Sequence, residues 1–387
     1  MANKAHNCPA YKRCGGCQLQ NMDYSEQLQY KQRKVIGLMG KMCRVDDIIG
    51  MENPYHYRNK VQAAFGLDRR GMISGIYQSS THKIVPIDSC LIEDEKADAV
   101  IVTIRKLADR FKLGVFNEKS LKGFLRHVLV KRSFSTGQLM VVLVTGTPVF
   151  PGKNNFIEAL LKEHPEITTI VQNINSRFTA LVLGERNIVL YGDGKIEDEL
   201  MGCRFRISPK SFYQVNPVQT EKLYTLAMKY LDLKGSETVL DAYCGTGTIG
   251  ILAAKSGAGK VIGVELNADA VKDAKENAKL NGIDNIDFVC ADASEFLKTL
   301  AVKRTALDGV IMDPPRAGST VEFMSSVVRL GPKKVVYISC NPETLARDLL
   351  YFSRNGYKVR KITPVDMFPH TNHVETVVLL SGKTGEK

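Results

Sequence analysis

From residue 237 to the end of the sequence, short apolar runs alternate with helix-patterned stretches. ETVLDAY, KVIGVEL, IDFVCAD, LDGVIMDPP and KKVVYIS are the apolar runs. TIGILAAKSG and ADAVKDAKENAKLNG lie between the first three. Strands separated by helices must run parallel, because each crossover returns the chain to the same edge, so this pattern predicts a doubly wound α/β sheet over about 206–387. YKVRKITPVD and HVETVVLLS follow without a clear helix between them and are expected to close the sheet as an antiparallel end. In such sheets ligands bind beyond the carboxyl ends of the strands, so the residues at those tips matter most.

Upstream the pattern differs. Between Tyr57 and Cys203 there are β-like runs such as KVQAAFGLD, SGIYQSS, RHVLVKRS, GQLMVVLVTG, TTIVQNIN and TALVLG. Helical patterns near Ala97–Phe111 and Asn155–His164 interrupt them. This predicts an α+β unit with a largely antiparallel sheet, assembled from residues 1–20 and 52–205. Residues 21–51 contain a helical stretch, Tyr24–Met42, expected to dock on the C-terminal unit.

The net charge is +12, with 53 Lys and Arg against 41 Asp and Glu. A surplus of this size favours a polyanionic partner, nucleic acid first, although it also fits a surface that only aids solubility. No apolar run approaches the length of a membrane helix, and the N-terminus lacks a signal-peptide core. A cytoplasmic, monomeric protein is expected. Nine cysteines in that setting suggest metal binding or catalysis rather than a disulfide framework.

DAYCGTGTIG places Gly245, Gly247 and Gly250 after a strand and at a helix start. Dinucleotide enzymes share this spacing. Three acids tilt it toward S-adenosylmethionine. Asp241 precedes the glycines, suited to the methionine ammonium. Glu265 ends the next strand, suited to the ribose hydroxyls, and Asp292 ends a third, suited to the adenine amine. Each acid alone also reads as a solvated loop residue. Tyr243 fits cofactor packing and structural packing about equally.

LDGVIMDPPRAG sets Asp313 at a fourth strand tip, stiffened by Pro314 and Pro315. D-P-P-R resembles the motif of methyltransferases that act on nucleobases. In VVYISCNPETLARDL, Cys340 lies between a strand and a helix start. A helix N-terminus favours thiolate, which makes Cys340 a nucleophile candidate; the alternative is a small core residue. A thiolate adding to uracil C6 would make C5 nucleophilic, and the adduct would then need a base to remove the C5 proton. Glu375, at the start of HVETVVLL, is the candidate base, with His370 and His373 as rivals.

SFYQVNP, DAYCGTGTIG, MDPPRAG, YISCNPETLARDL and HVETVVLL, in that order, closely resemble the RNA uracil-5 methyltransferases that make 5-methyluridine. The resemblance implies a Rossmann-like methyltransferase domain. It also implies S-adenosylmethionine bound by Gln214, Tyr243, Glu265 and Asp313, with Cys340 as nucleophile and Glu375 as base. Cys8, Cys14 and Cys17 form C-x5-C-x2-C, and Cys90 lies farther on. Four thiolates suit zinc or an iron–sulfur cluster, and spacing alone does not separate them. In the ribosomal-RNA branch this arrangement holds a [4Fe-4S] cluster, whereas the transfer-RNA branch generally lacks the cysteines. The implied activity is methylation of a uridine in large-subunit ribosomal RNA.

The set begins at position 8, so the small β-barrel that begins many ribosomal-RNA members is not expected here. RNA binding is therefore expected of the β unit and the crevice rim. Arg126, His127, Lys131 and Arg132 read either as phosphate contacts or as a solvated face. Cys43, Cys203, Cys244 and Cys290 read as packing residues. The rival functions are the same chemistry on the T loop of transfer RNA, a silent RNA-binding protein and a nicotinamide oxidoreductase.

Overall fold

The computed structural model describes residues 8–69, 71–79, 81, 83–303 and 305–382. The chain enters through a one-turn helix, α1 (Tyr11–Cys14), and a long helix, α2 (Tyr24–Met39). Asp23 and Glu26 close a capping box that satisfies free N–H groups at the start of α2. Val35 and Met39 of α2 are fully buried in an apolar cluster shared with the C-terminal sheet. Lys31, also fully buried, reaches Asp366 at 2.5 Å and the Phe368 carbonyl at 3.0 Å. The segment after α2 covers the outer edge of that sheet through bridges from Val45 to Ile362 and from Ile49 to Val365.

The first large sheet contains β1 (Lys60–Asp68), β2 (Gly71–Tyr77), β3 (Ile84–Pro86), β4 (Leu125–Arg132), β5 (Leu139–Thr145), β6 (Ile167–Ile174) and β7 (Arg186–Tyr191). Their spatial order is β3-β2-β1-β4-β5-β6-β7, antiparallel except for β5–β6. Helix α3 (Glu95–Arg110) packs on one face. So does α4 (Lys153–Glu163), the crossover that permits the parallel pair. The other face receives a hairpin, β8 (Ile196–Leu200) and β9 (Cys203–Ile207), together with Tyr213.

Two expectations for this sheet are corrected. TALVLG is a loop, and the outer strand is the following RNIVLY, whose side chains alternate between exposed and half-buried. The basic run of β4 is neither solvated nor free to hold phosphate. Arg126 bonds Glu118 and the carbonyls of Arg177 and Thr179, while Lys131 is buried between the carbonyls of Ser208 and Ser211. Arg132 pairs with Asp94, and His127 is 3% exposed. Buried cations of this kind are retained only with such partners.

The second large sheet begins after α5 (Pro217–Leu231) with β10 (Thr238–Ala242), α6 (Thr248–Lys255), β11 (Lys260–Glu265), α7 (Ala268–Leu280), β12 (Ile286–Cys290), α8 (Ala293–Val302) and β13 (Gly309–Met312). It continues through α9 (Val321–Leu330), β14 (Lys334–Ser339), α10 (Pro342–Arg354), β15 (Lys358–Val365) and β16 (Glu375–Ser381). The order is β12-β11-β10-β13-β14-β16-β15. The first five strands are parallel, and β15 and β16 form the expected antiparallel end. Apolar clusters line both faces, as a doubly wound sheet requires. Strand order reverses at β10 and β13, so the ligand crevice opens between their carboxyl ends. Among the described residues no helix is long and apolar enough to cross a membrane.

Candidate active site

The glycine-rich turn after β10 forms one wall of the crevice. Gly247 opens α6 at φ 82°, a conformation that glycine adopts at little cost. Glu265, ending β11, accepts the Gly245 N–H at 3.1 Å and the Asn267 N–H at 2.8 Å. Asp241 lies behind the turn. It is 1% exposed, its Oδ2 has no hydrogen-bond partner, and a β-carbon at Gly250 would sit 3.0 Å from that oxygen. Burial, with the Asp313 and Glu265 charges added, pushes its carboxyl up to about 8, while the Gly250 N–H acts against this. Asp292 caps α8 by accepting the Glu295 N–H at 3.1 Å.

The crevice itself brings Gln214, Tyr243, Gly245 and Asp313 together with Phe212 and Tyr224. Asp241, Glu265 and Asp292 are not on this wall. Tyr243 is held at φ 67°, unusual for a bulky residue, with its ring 5.3 Å from that of Phe323. Sequence reasoning overlooked Tyr224, which is buried about two turns into α5 and bonded to Gln214. It also assigned no part to Phe212, although SFYQVNP contains it and the side chain is 64% exposed at the crevice rim.

Cys340 immediately follows β14, and Glu375 begins β16. These strands are antiparallel with Ser339 opposite Thr376, so one further step of the register sets Cys340 opposite Glu375. The turn from Asp313 to Arg316 is stitched to the Cys340 turn: Asn341 Nδ2 and Thr344 Oγ1 donate to the Arg316 carbonyl at 3.0 and 3.2 Å. Its first residue faces the crevice, and its last lines a second cavity with Cys340. Burial, then the Asp313 charge, raises the Glu375 carboxyl well above its ordinary range, with Arg316 opposing. Burial also pushes Asp313 up to about 7.

The surroundings of Cys340 work against the thiolate that its helix start favours. Burial, then the Glu375 and Asp313 charges, pushes the Cys340 thiol up to about 11, outweighing Arg316 and the backbone. Alkylation of Cys340 by iodoacetamide is therefore expected to accelerate roughly tenfold per pH unit from neutrality toward that value. Asp313→Asn removes a charge that opposes ionisation, and should speed the reaction at mildly alkaline pH by about 3–10-fold. Mass-spectrometric counting of the Cys340 peptide against time measures both effects. A profile flat across this range would contradict the assignment of the two carboxylates.

The two histidine rivals lie in different settings. His370 is 3% exposed, stacks near Tyr55 at 4.9 Å between centroids and bonds Gln27. Burial lowers it to about 4. His373 lies in the Cys340 cavity, with Nε2 3.3 Å from the Arg316 guanidinium.

Cys8, Cys14, Cys17 and Cys90 border a separate cavity of about 460 Å³, together with Arg58 and Lys60. Burial raises Cys14, Cys17 and Cys90, and neighbouring thiols add to the effect at Cys14 and Cys17; Cys17 reaches about 12. Among the described residues, no three Cys, His, Asp or Glu side chains stand already converged as metal ligands. Cys203 and Cys244 are buried, Cys290 is exposed, and the Cys43 thiol donates to the Arg360 carbonyl.

The profile of the tRNA (Uracil-5-)-methyltransferase family matches residues 23–383. A protein of Clostridium tetani named an uncharacterized RNA methyltransferase is 44% identical over 378 residues, 97% of this chain and 82% of that one. One of Clostridium acetobutylicum with the same description is 45% identical over 380 residues, covering 96% and 82%. The crystal structure of the Pyrococcus abyssi tRNA (uracil-54, C5)-methyltransferase in complex with S-adenosyl-L-homocysteine superposes with a TM-score of 0.79. Sequence identity there is 30%, over 95% of this chain and 86% of that one. The chain belongs to the tRNA (uracil-5-)-methyltransferase family and is an RNA methyltransferase.

Proposed function

We propose that this enzyme converts a uridine of large-subunit ribosomal RNA to 5-methyluridine, with Cys340 as nucleophile and Glu375 as base. The observation that carries the chemistry is the register of β14 and β16, which, continued one step beyond Ser339 and Thr376, sets those two residues opposite each other. Gln214, Tyr243, Gly245 and Asp313 would hold S-adenosylmethionine, with Glu265 fixing the glycine turn from behind. When bound, that cofactor supplies an electrophilic methyl group on a cationic sulfur.

The Cys340 thiol first gives up its proton to solvent; the thiolate Sγ then bonds uracil C6, and the C5=C6 electron pair moves into an enolate, which makes C5 the acceptor of the methyl group. Glu375 then takes the C5 proton. The electrons of that C–H bond re-form C5=C6 as the C6–S bond breaks and the thiolate departs. A raised carboxyl suits this role, since an ionised base of higher pKa removes a proton more readily. The base must leave its stack to reach Cys340, so a loop uridine is the expected target.

The ribosomal assignment rests on the four cysteines. Their cavity is large enough for a cluster, and Arg58 and Lys60 on its wall would balance thiolate charge. We assign Cys8, Cys14, Cys17 and Cys90 as ligands of a [4Fe-4S] cluster that ties the N-terminal segment to the first sheet. Cys17→Ser is expected to lose bound iron, sulfide and visible absorbance on anaerobic purification. Stoichiometric zinc without iron in the parent protein would contradict the assignment. We place the enzyme in the cytoplasm as a monomer.

The test of substrate is methylation of unmodified large-subunit ribosomal RNA and unmodified transfer RNA, mapped by mass spectrometry. 5-Methyluridine in ribosomal fragments alone is expected. The mark in transfer RNA alone would overturn the substrate and keep the chemistry.

A further inference from the structure

The cavity that exposes Cys340 has a basic wall that the chemistry above does not use. It measures about 170 Å³ and is bordered by Lys34, Arg316 and His373. These come from three separate parts of the chain: α2, the turn after β13, and the segment leading into β16. The start of α10, from Asn341 to Glu343, borders the same space. Helix N-termini carry free N–H groups and partial positive charge. Lys34 pairs with Glu343 at 3.0 Å, but Glu343 is 55% exposed and faces solvent as well. The Arg316 guanidinium lies 3.3 Å from the His373 imidazole Nε2 rather than against a carboxylate. Two permanent cations, one titratable ring and a helix start therefore surround a single thiol.

We propose that Lys34, Arg316 and His373 form a seat for the RNA phosphate next to the target uridine, and so fix that nucleotide over Cys340. The proposal rests on the reading of Cys340 as the residue that attacks an RNA base. A phosphodiester fits because it is the one anionic group that every RNA carries beside its base, and single-stranded RNA bound with an extruded base must be held by its backbone.

The seat has a pH signature. His373 is lowered by burial first, then by Arg316, Lys31 and Lys34; Glu343 opposes them, and the Phe368 ring packs on its edge. These surroundings disfavour protonation of the ring in the free protein. An arriving phosphate favours the imidazolium, so binding takes up a proton and affinity rises as pH falls.

Binding of a short oligouridylate to the full chain, measured across a salt series, tests the seat. Lys34→Gln and His373→Gln should each flatten the dependence of log K on log salt by a part of the roughly 0.7 expected for one single-strand phosphate contact. Lys34→Arg should restore the slope. In the parent protein, affinity should rise about 3–10-fold from about pH 8 to about pH 6, and His373→Gln should reduce that rise, leaving the part that comes from neutralising Asp313. KM for RNA should increase in both glutamine variants, with kcat changed less. Unchanged slopes in both variants, with methyl transfer intact, would overturn the seat alone. Flattened slopes in a protein that methylates no RNA would leave the seat standing and overturn the reading of Cys340.

Discussion

Cys340→Ala is expected to reduce methyl transfer to background while cofactor binding stays near that of the parent protein. The thiol lies beyond the turn that carries Asp313, so its removal leaves the crevice wall of Gln214, Tyr243 and Gly245 untouched. Without Sγ, uracil C5 is never activated, and no neighbouring group replaces a nucleophile that must form and then release a carbon–sulfur bond. Glu375→Gln tests the other half. Glutamine keeps the volume of a side chain that is only 4% exposed, so the strand pairing should survive. The methylated adduct should then form but fail to lose its C5 proton. Turnover should fall by about 10²–10⁴-fold, with covalent RNA–protein complex accumulating. Cofactor binding is read by calorimetry and adduct by denaturing electrophoresis. Substantial turnover in Cys340→Ala would remove the nucleophile assignment, and a Glu375→Gln protein with low turnover and no adduct would move suspicion to His373.

The largest stability effect is expected at Lys31. Its ammonium and the Asp366 carboxylate are both fully buried and 2.5 Å apart, and Tyr24 donates to the second Asp366 oxygen at 2.9 Å. This network joins α2 to the segment between β15 and β16, which leads through His370 and His373 to Glu375. Lys31→Met leaves a buried carboxylate without its counter-charge, a change that costs about 3–5 kcal/mol. Adding Asp366→Asn removes the stranded charge and should recover much of the loss. Denaturant unfolding of the three proteins measures both quantities. A single variant destabilised by less than about 1 kcal/mol would mean that water or a rearranged partner solvates Asp366.

The second sheet was legible because its strands are buried on both faces and read as continuous apolar runs separated by helical periods. The tips fell into place with it: Asp313 and Cys340 follow the ends of β13 and β14, and Glu375 stands at the start of β16. Less of the first sheet could be read. RNIVLY is an outer strand with one face in solvent, so its composition resembles that of the loop before it. The basic residues of β4 looked like surface because charge is usually exposed. Their partners come from a turn eight residues upstream, Glu118, and from the distant Asp94 and the carbonyls of Ser208 and Ser211, none of which a local pattern reveals. The same holds for the ionisation of Cys340. Its helix start was visible in Cys-Asn-Pro, but the two carboxylates that oppose ionisation arrive from β13 and β16. Asp241 and Asp292 were recognised as strand-tip acids. That one would be sealed behind Gly250 and the other engaged as a helix cap depends on packing that spacing does not encode.

The most direct measurement is the trapping of Cys340 on RNA containing 5-fluorouridine, whose C5 substituent cannot leave as a proton. Incubation with S-adenosylmethionine should yield a complex that survives denaturation, and peptide mapping should place the nucleotide, methylated at C5, on Cys340. A complex mapped to another residue, or none with an RNA whose unfluorinated form is methylated, would contradict nucleophilic attack by Cys340.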